Sequence, residues 1–127
     1  MKYLVDSDQI IWYLKGKPAV VRKLQTLQRE LAVSVISVGE VAEGIVGEKD
    51  EEKKLGGLKN FLEGIEVLEI NQEIAFQFAK VRASLRKKGR LIDNFDLLIA
   101  ATCLTHNLIL ITENKKDFAR IGGLRIE

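Results

Sequence analysis

Five short apolar runs, rich in β-branched residues, recur along this chain: KYLV at 2–5, LAVSVI at 31–36, IEVLEI at 65–70, LILI at 108–111 and LRI at 124–126. Their length and composition are those of buried strands. Helical patterns fill the gaps, and regular alternation of strand and helix predicts a mainly parallel sheet with helices on both faces. Pro18 suits the first turn of a helix reaching Glu30, and Ser37 opens a second helix with Glu40 three residues on. Asn71 starts the longest, in which Ile74, Phe78, Val81 and Leu85 keep a helical stripe. Asp93 or Asn94 starts a helix through Asp96, Leu97, Ile99, Ala100 and Leu104 that ends near His106 and Asn107.

Four acids sit at or just beyond the ends of apolar segments: Asp6 after KYLV, Glu40 in VISVGEVAEG, Asp96 in NFDLLIAA and Asp117 in LILITENKKDF. In an open α/β sheet, the carboxyl ends of the strands and their loops are where sites assemble. Two unit charges about 5 Å apart repel by roughly 3 kcal/mol at an effective dielectric near 20, so converging carboxylates call for a cation. With only Lys115 and Lys116 close by in sequence, a hard divalent ion is the expected neutraliser.

Each acid also has a local structural reading. Asp6 or Ser7 could cap the next helix, although that leaves Asp8 redundant; Ser7 and Asp8 could instead orient Asp6. Ser37 to Glu40 has the form of a capping box, and Glu43 competes for the same role. Gly39 and Gly44 suggest a close approach of chain or ligand to this turn. Asp93 could cap the helix of Asp96, which makes Asp93 a secondary acidic candidate, and Asn114 could cap a short helix containing Asp117. Thr112 and Asn114 add a hydroxyl and an amide able to orient a metal or a phosphate.

At 127 residues, 46% hydrophobic and 30% charged, the chain reads as one domain spanning 1–127. The net charge of +2 leaves any nucleic-acid affinity to local patches. Cys103 has no partner for a disulfide and the start lacks a long apolar segment, so cytoplasmic residence is expected; no apolar run is long enough for a membrane role. Residues 48–54, EKDEEKK, read as a solvated helix or loop. Lys80, Arg82, Arg86, Lys87, Lys88 and Arg90 form a run without an acid, which serves either as a track for RNA phosphates or as a complement to a helix C-terminus. Trp12, Tyr13 and Leu14 read first as core, as does Cys103, and His106 reads as structural.

Taken together, LVDSDQIIWYLKG, SVGEVAEG, GRLIDNFDLLIAAT and LILITENKKDFARIGGLRI resemble, in order and spacing, the PIN-domain nucleases and among them the short toxins of VapBC toxin–antitoxin systems. The resemblance implies a three-layer PIN-like α/β fold and a magnesium- or manganese-dependent endoribonuclease. Asp6, Glu40, Asp96 and Asp117 would be its acidic quartet, with Asp6 and Asp96 the surest metal ligands and Ser7, Asp8, Asp93, Thr112 and Asn114 in support. A metal-activated water would hydrolyse the RNA phosphodiester. Lys115 and Lys116, and then Arg86, Lys87, Lys88 and Arg90, are the expected RNA contacts. A VapB-type antitoxin would dock on the early helices, using Trp12, Tyr13 and Leu14, and a homodimer is expected. The family commonly has Thr-Asn after its first aspartate, where Ser7-Asp8 stands here.

Three rivals remain. A PIN nuclease of RNA maturation outside any toxin system would carry the same motifs, and an inert PIN-like binding module could have kept the fold alone. A phosphoacceptor receiver domain needs an aspartate after its third strand, where Glu69-Ile70-Asn71 stands.

Overall fold

The computed structural model describes residues 1–127 and contains five strands, β1 (Tyr3–Val5), β2 (Leu31–Ser34), β3 (Glu66–Leu68), β4 (Ile109–Ile111) and β5 (Arg125–Ile126). They form one sheet in the order β3-β2-β1-β4-β5, and every ladder is parallel. Seven helices connect them: α1 (Ser7–Leu14), α2 (Pro18–Thr26), α3 (Val35–Ile45), α4 (Glu51–Leu62), α5 (Gln72–Lys87), α6 (Asn94–His106) and α7 (Lys115–Phe118).

The two-residue period of a strand sorts its side chains into two cores. Tyr3, Val5, Leu31, Val33 and Ile111 face α1 to α4, where they meet Ile10, Leu24, Val41 and Phe61. Leu4, Ala32 and Leu110 face the opposite way and pack with Val81 and Leu85 of α5, Leu97 and Cys103 of α6, and Phe118 of α7. Helices therefore cover both faces, and the expected three layers are present. Cys103 is fully buried core, as its sequence setting implied.

Several element ends differ from the sequence expectation. The helix from Pro18 stops at Thr26, and residues 28–30 form a single 3-10 turn instead of continuing it. The second strand ends at Ser34, whose side-chain oxygen accepts the amide of Ile36, so α3 starts at Val35 and Ser37 is a buried helical residue, not the cap. That removes the capping-box reading of Ser37 and Glu40. A Cβ at Gly39 or Gly44 would meet nothing within 4 Å, so no close chain approach explains these glycines. Asn71 and Asp93 cap α5 and α6 as expected, and Asn107 ends α6 in the left-handed region at φ 56°. The segment 48–54 leads into α4, which begins at Glu51. No helix is long and apolar enough to cross a membrane.

Candidate functional site

Strands β2, β1 and β4 are adjacent and parallel, so their carboxyl ends open onto one edge of the sheet. Asp6 follows β1 directly. Its amide donates to Ile111 O at 3.0 Å, extending the β1–β4 pairing by one residue and holding the carboxylate at the sheet rim. Asp6 is only 5% exposed. Its Oδ1 accepts the Ser7 amide at 2.7 Å at the start of α1, and its Oδ2 accepts Thr112 Oγ1 at 2.6 Å. Thr112 Oγ1 in turn accepts the Asn114 amide at 2.9 Å, so the loop after β4 is tied to the first acid.

Glu40 approaches from α3. Ser7 Oγ donates to Glu40 Oε1 at 2.8 Å, which fixes one oxygen and leaves Oε2 uncommitted by that bond. This contact also separates Glu40 from its neighbour Glu43, which is exposed. Asp96 lies in the first turn of α6, where Asn114 Nδ2 reaches Asp96 Oδ2 at 3.5 Å, a long and weak hydrogen bond. Asp93 Oδ2 accepts the amides of Phe95 and Asp96 at 3.0 and 3.4 Å, so Asp93 is a cap beside the acidic group.

Electrostatics gives the clearest sign of convergence. The Asp96 carboxyl is pushed up to about 7, first by burial and then by the charges of Asp6, Asp93, Glu40 and Asp117. Asp6 is pushed up to about 6, chiefly by burial, with Asp8 and Glu40 adding to the rise against the lowering effect of the Thr112 hydroxyl. Burial raises Asp8 as well. Asp8 Oδ2 accepts the Glu113 amide at 3.1 Å, while its buried Oδ1 has no partner. The four acids named from sequence thus lie within one electrostatic neighbourhood. No three of them stand close enough together to grip an ion unaided.

Positive charge is sparse at this centre. Asp117 Oδ1 meets Arg120 Nη2 at 3.6 Å, and no other acid of the group has an ion pair. Arg120, in the turn just after α7, was not singled out in the sequence; its spacing of three from Asp117 was the available signal. Lys115 and Lys116 are exposed on α7, next to Asn114. Arg86 and Lys87 lie in the last turn of α5, with Lys88 and Arg90 exposed just beyond it.

On the α1 side, a groove of about 640 Å³ is lined by residues including Ile11, Leu14, Val41, Gly44 and Ile45. Of the expected antitoxin contacts, Leu14 lines this groove, whereas Tyr13 stacks on Phe61 with ring centres 4.8 Å apart and Trp12 lies under Lys17 Nζ at 3.8 Å.

The PIN-domain family model matches residues 3–124. The chain belongs to the PIN-domain family. This PIN domain is 32% identical to the tRNA(fMet)-specific endonuclease VapC of Shigella flexneri, over 100% of this chain and 97% of that one. It is 39% identical to Ribonuclease VapC1 of Methanocaldococcus jannaschii, over 98% and 86% of the respective chains. The structure of DNA-bound VapBC from Salmonella typhimurium superposes with a TM-score of 0.93 at 29% identity, covering 100% of this PIN domain and 97% of that chain.

Proposed function

We propose that the protein is a divalent-metal-dependent endoribonuclease, the toxin of a VapBC-type pair. The observation that carries this reading is the chain of contacts that gathers Asp6, Glu40 and Asp96 from distant segments through Ser7, Thr112 and Asn114, with the Asp96 carboxyl raised first by burial and then by Asp6, Asp93, Glu40 and Asp117. The donor set suits Mg2+ or Mn2+: it consists of hard oxygens, it is short of cations, and the unpartnered Asp8 Oδ1 adds a buried acceptor. Because no three acids form a ready cage, Asp6 and Asp96 would be the direct ligands, with water completing the shell and Glu40 and Asp117 acting around them. When bound, such an ion supplies polarisation of the phosphoryl oxygen and a lower pKa for its water.

The side chains provide the rest. Thr112 holds Asp6 in orientation, and Ser7 holds Glu40 so that Oε2 can take the proton of the attacking water. Asn114 steadies Asp96 and Asp93 holds the helix start beneath it, while Lys115 and Lys116 meet the RNA phosphates. Four elements contribute to the site, and the bonds from Ser7 and Thr112 orient Glu40 and Asp6 before substrate arrives, which reduces the cost of reaching the transition state.

The groove beside α1 would receive an apolar antitoxin segment through Ile11, Leu14, Val41 and Ile45. Similarity to VapBC complexes supports that partner. Phe95, 50% exposed near the start of α6, and Leu91, 40% exposed just before that helix, support a homodimer through this end of α6. Incubation of purified protein with tRNA, rRNA and mRNA, with and without EDTA, tests the activity. Cleavage that stops in EDTA and returns with excess Mg2+ is expected; intact RNA throughout, or cleavage indifferent to EDTA, contradicts the reading. The name of the Shigella relative makes tRNA(fMet) the first RNA to include.

A further inference from the structure

A second depression, of about 260 Å³, lies between α5 and the turn after α7. Its rim carries Gln77, Lys80 and Ser84 from α5, Lys88 at that helix's C-terminal cap and Arg120 from the opposite side, with no acid among the lining residues. Lys80, Ser84 and Lys88 recur at four-residue intervals, so they form one stripe along the helix. The acid-free run from Lys80 to Arg90 is thereby divided. Lys80 and Lys88 face the depression, whereas Arg82 turns to Asn94, its Nε donating to Asn94 Oδ1 at 3.1 Å.

Arg120 links this depression to the acidic centre. Its Nη2 meets Asp117 at 3.6 Å and its Nη1 donates to Leu91 O at 3.3 Å, while its buried Nε has no hydrogen-bond partner. The guanidinium is therefore held at two corners, with its Nε shielded from solvent. A planar guanidinium so placed, flanked by two exposed ammonium groups and a hydroxyl, suits a phosphodiester oxygen. Asp117 joins the two regions: it is bound to Arg120 and its charge is felt at Asp96.

We propose that this depression is a phosphate subsite for the substrate strand, in which Lys80, Lys88 and Arg120 hold RNA backbone away from the scissile bond. The assignment rests on the nuclease reading above and deepens it: a strand cleaved at the acidic centre continues past Asp117 into the α5 groove. Phosphate contacts of this kind fix register without reading sequence. Arg86, Lys87 and Arg90, which do not line the depression, have no part in the subsite.

The test is fluorescence anisotropy of a labelled single-stranded RNA oligonucleotide, titrated across KCl concentrations in EDTA. Each lost phosphate contact on a single strand lowers the log–log salt slope by about 0.7, so Lys80→Gln/Lys88→Gln should flatten it by about 1.4. The charge-matched control Lys53→Gln/Lys54→Gln, on α4, should keep the wild-type slope. Equal flattening in both pairs would mean a general field effect and overturn the subsite, as would an unchanged slope in the Lys80/Lys88 pair. A polyglutamate peptide whose binding alone is lost in that pair would assign the groove to an acidic protein partner and overturn it too. Parallel cleavage assays in Mg2+ separate the two readings. Wild-type cleavage with an unchanged slope in the Lys80/Lys88 variant removes the subsite and keeps the nuclease. A flattened slope without wild-type cleavage keeps the subsite as an RNA contact and removes the nuclease.

Discussion

Asp96 and Asp6 hold their protons far above the ordinary value of 3.8, at about 7 and about 6, because burial and neighbouring acids disfavour the charged forms. In metal-free protein the folded state therefore binds more protons than the unfolded state between about 4 and 7. The stability these groups contribute is complete below the unfolded value and is lost as pH rises through the folded ones. The thermal midpoint measured in EDTA should fall across that window and level off above it. Asp96→Asn should flatten the fall and raise the midpoint at pH 8 relative to wild type; an unaltered profile would show that Asp96 is not strained by its neighbours. At this scale the sequence singled out four acids, each at or just beyond the end of an apolar segment, and the structure brings their charges into one neighbourhood. It did not separate Glu40 from Glu43, because the deciding contact comes from Ser7, 33 positions away.

Element boundaries depend on local chemistry that can point two ways. Val33-Ser34-Val35-Ile36-Ser37-Val38 offers two serines in one apolar run, and its periodicity suits strand and helix alike. Ser34 becomes the cap because the chain leaves the sheet at Val35, a tertiary fact. At α6 the signal was less ambiguous, with Asp93 placed before a polar-to-apolar transition and capping as expected. Asp93→Ala removes the acceptor for two amides and should cost about 1 kcal/mol, read as a lower urea midpoint at constant slope. A change below the measurement error would show that solvent replaces the cap. At Gly39 and Gly44 the conformational cost of glycine in a helix does not reflect crowding by the chain, since the structure leaves open space at both.

In the whole molecule, the sheet's two apolar faces decide where the chemistry sits. Alternation of strand and helix made the three layers legible, and the strand ends pointed to one rim. The strand order was not legible, since β1 lies between β2 and β4 through contacts spanning most of the chain. Nor was the contact of Arg120 with Leu91 O, which depends on how the turn after α7 returns toward the segment between α5 and α6. Phe118 anchors that region: it is fully buried, although α7 has only four residues. Phe118→Ala should destabilise the fold by about 3 to 5 kcal/mol in urea unfolding. A loss under about 1 kcal/mol would mean that α7 is not fastened to the core and that Asn114 and Asp117 are not held by packing.

Whether distant acids serve a common ion is decided by isothermal titration calorimetry with Mn2+ on wild type, Asp6→Asn and Asp96→Asn, each confirmed folded by circular dichroism. Binding to the wild type that is lost or severely weakened in both variants is expected, because each removes a ligand of the same site. Wild-type affinity in either variant, or binding events lost separately in the two, would contradict a shared metal centre at the rim of the sheet.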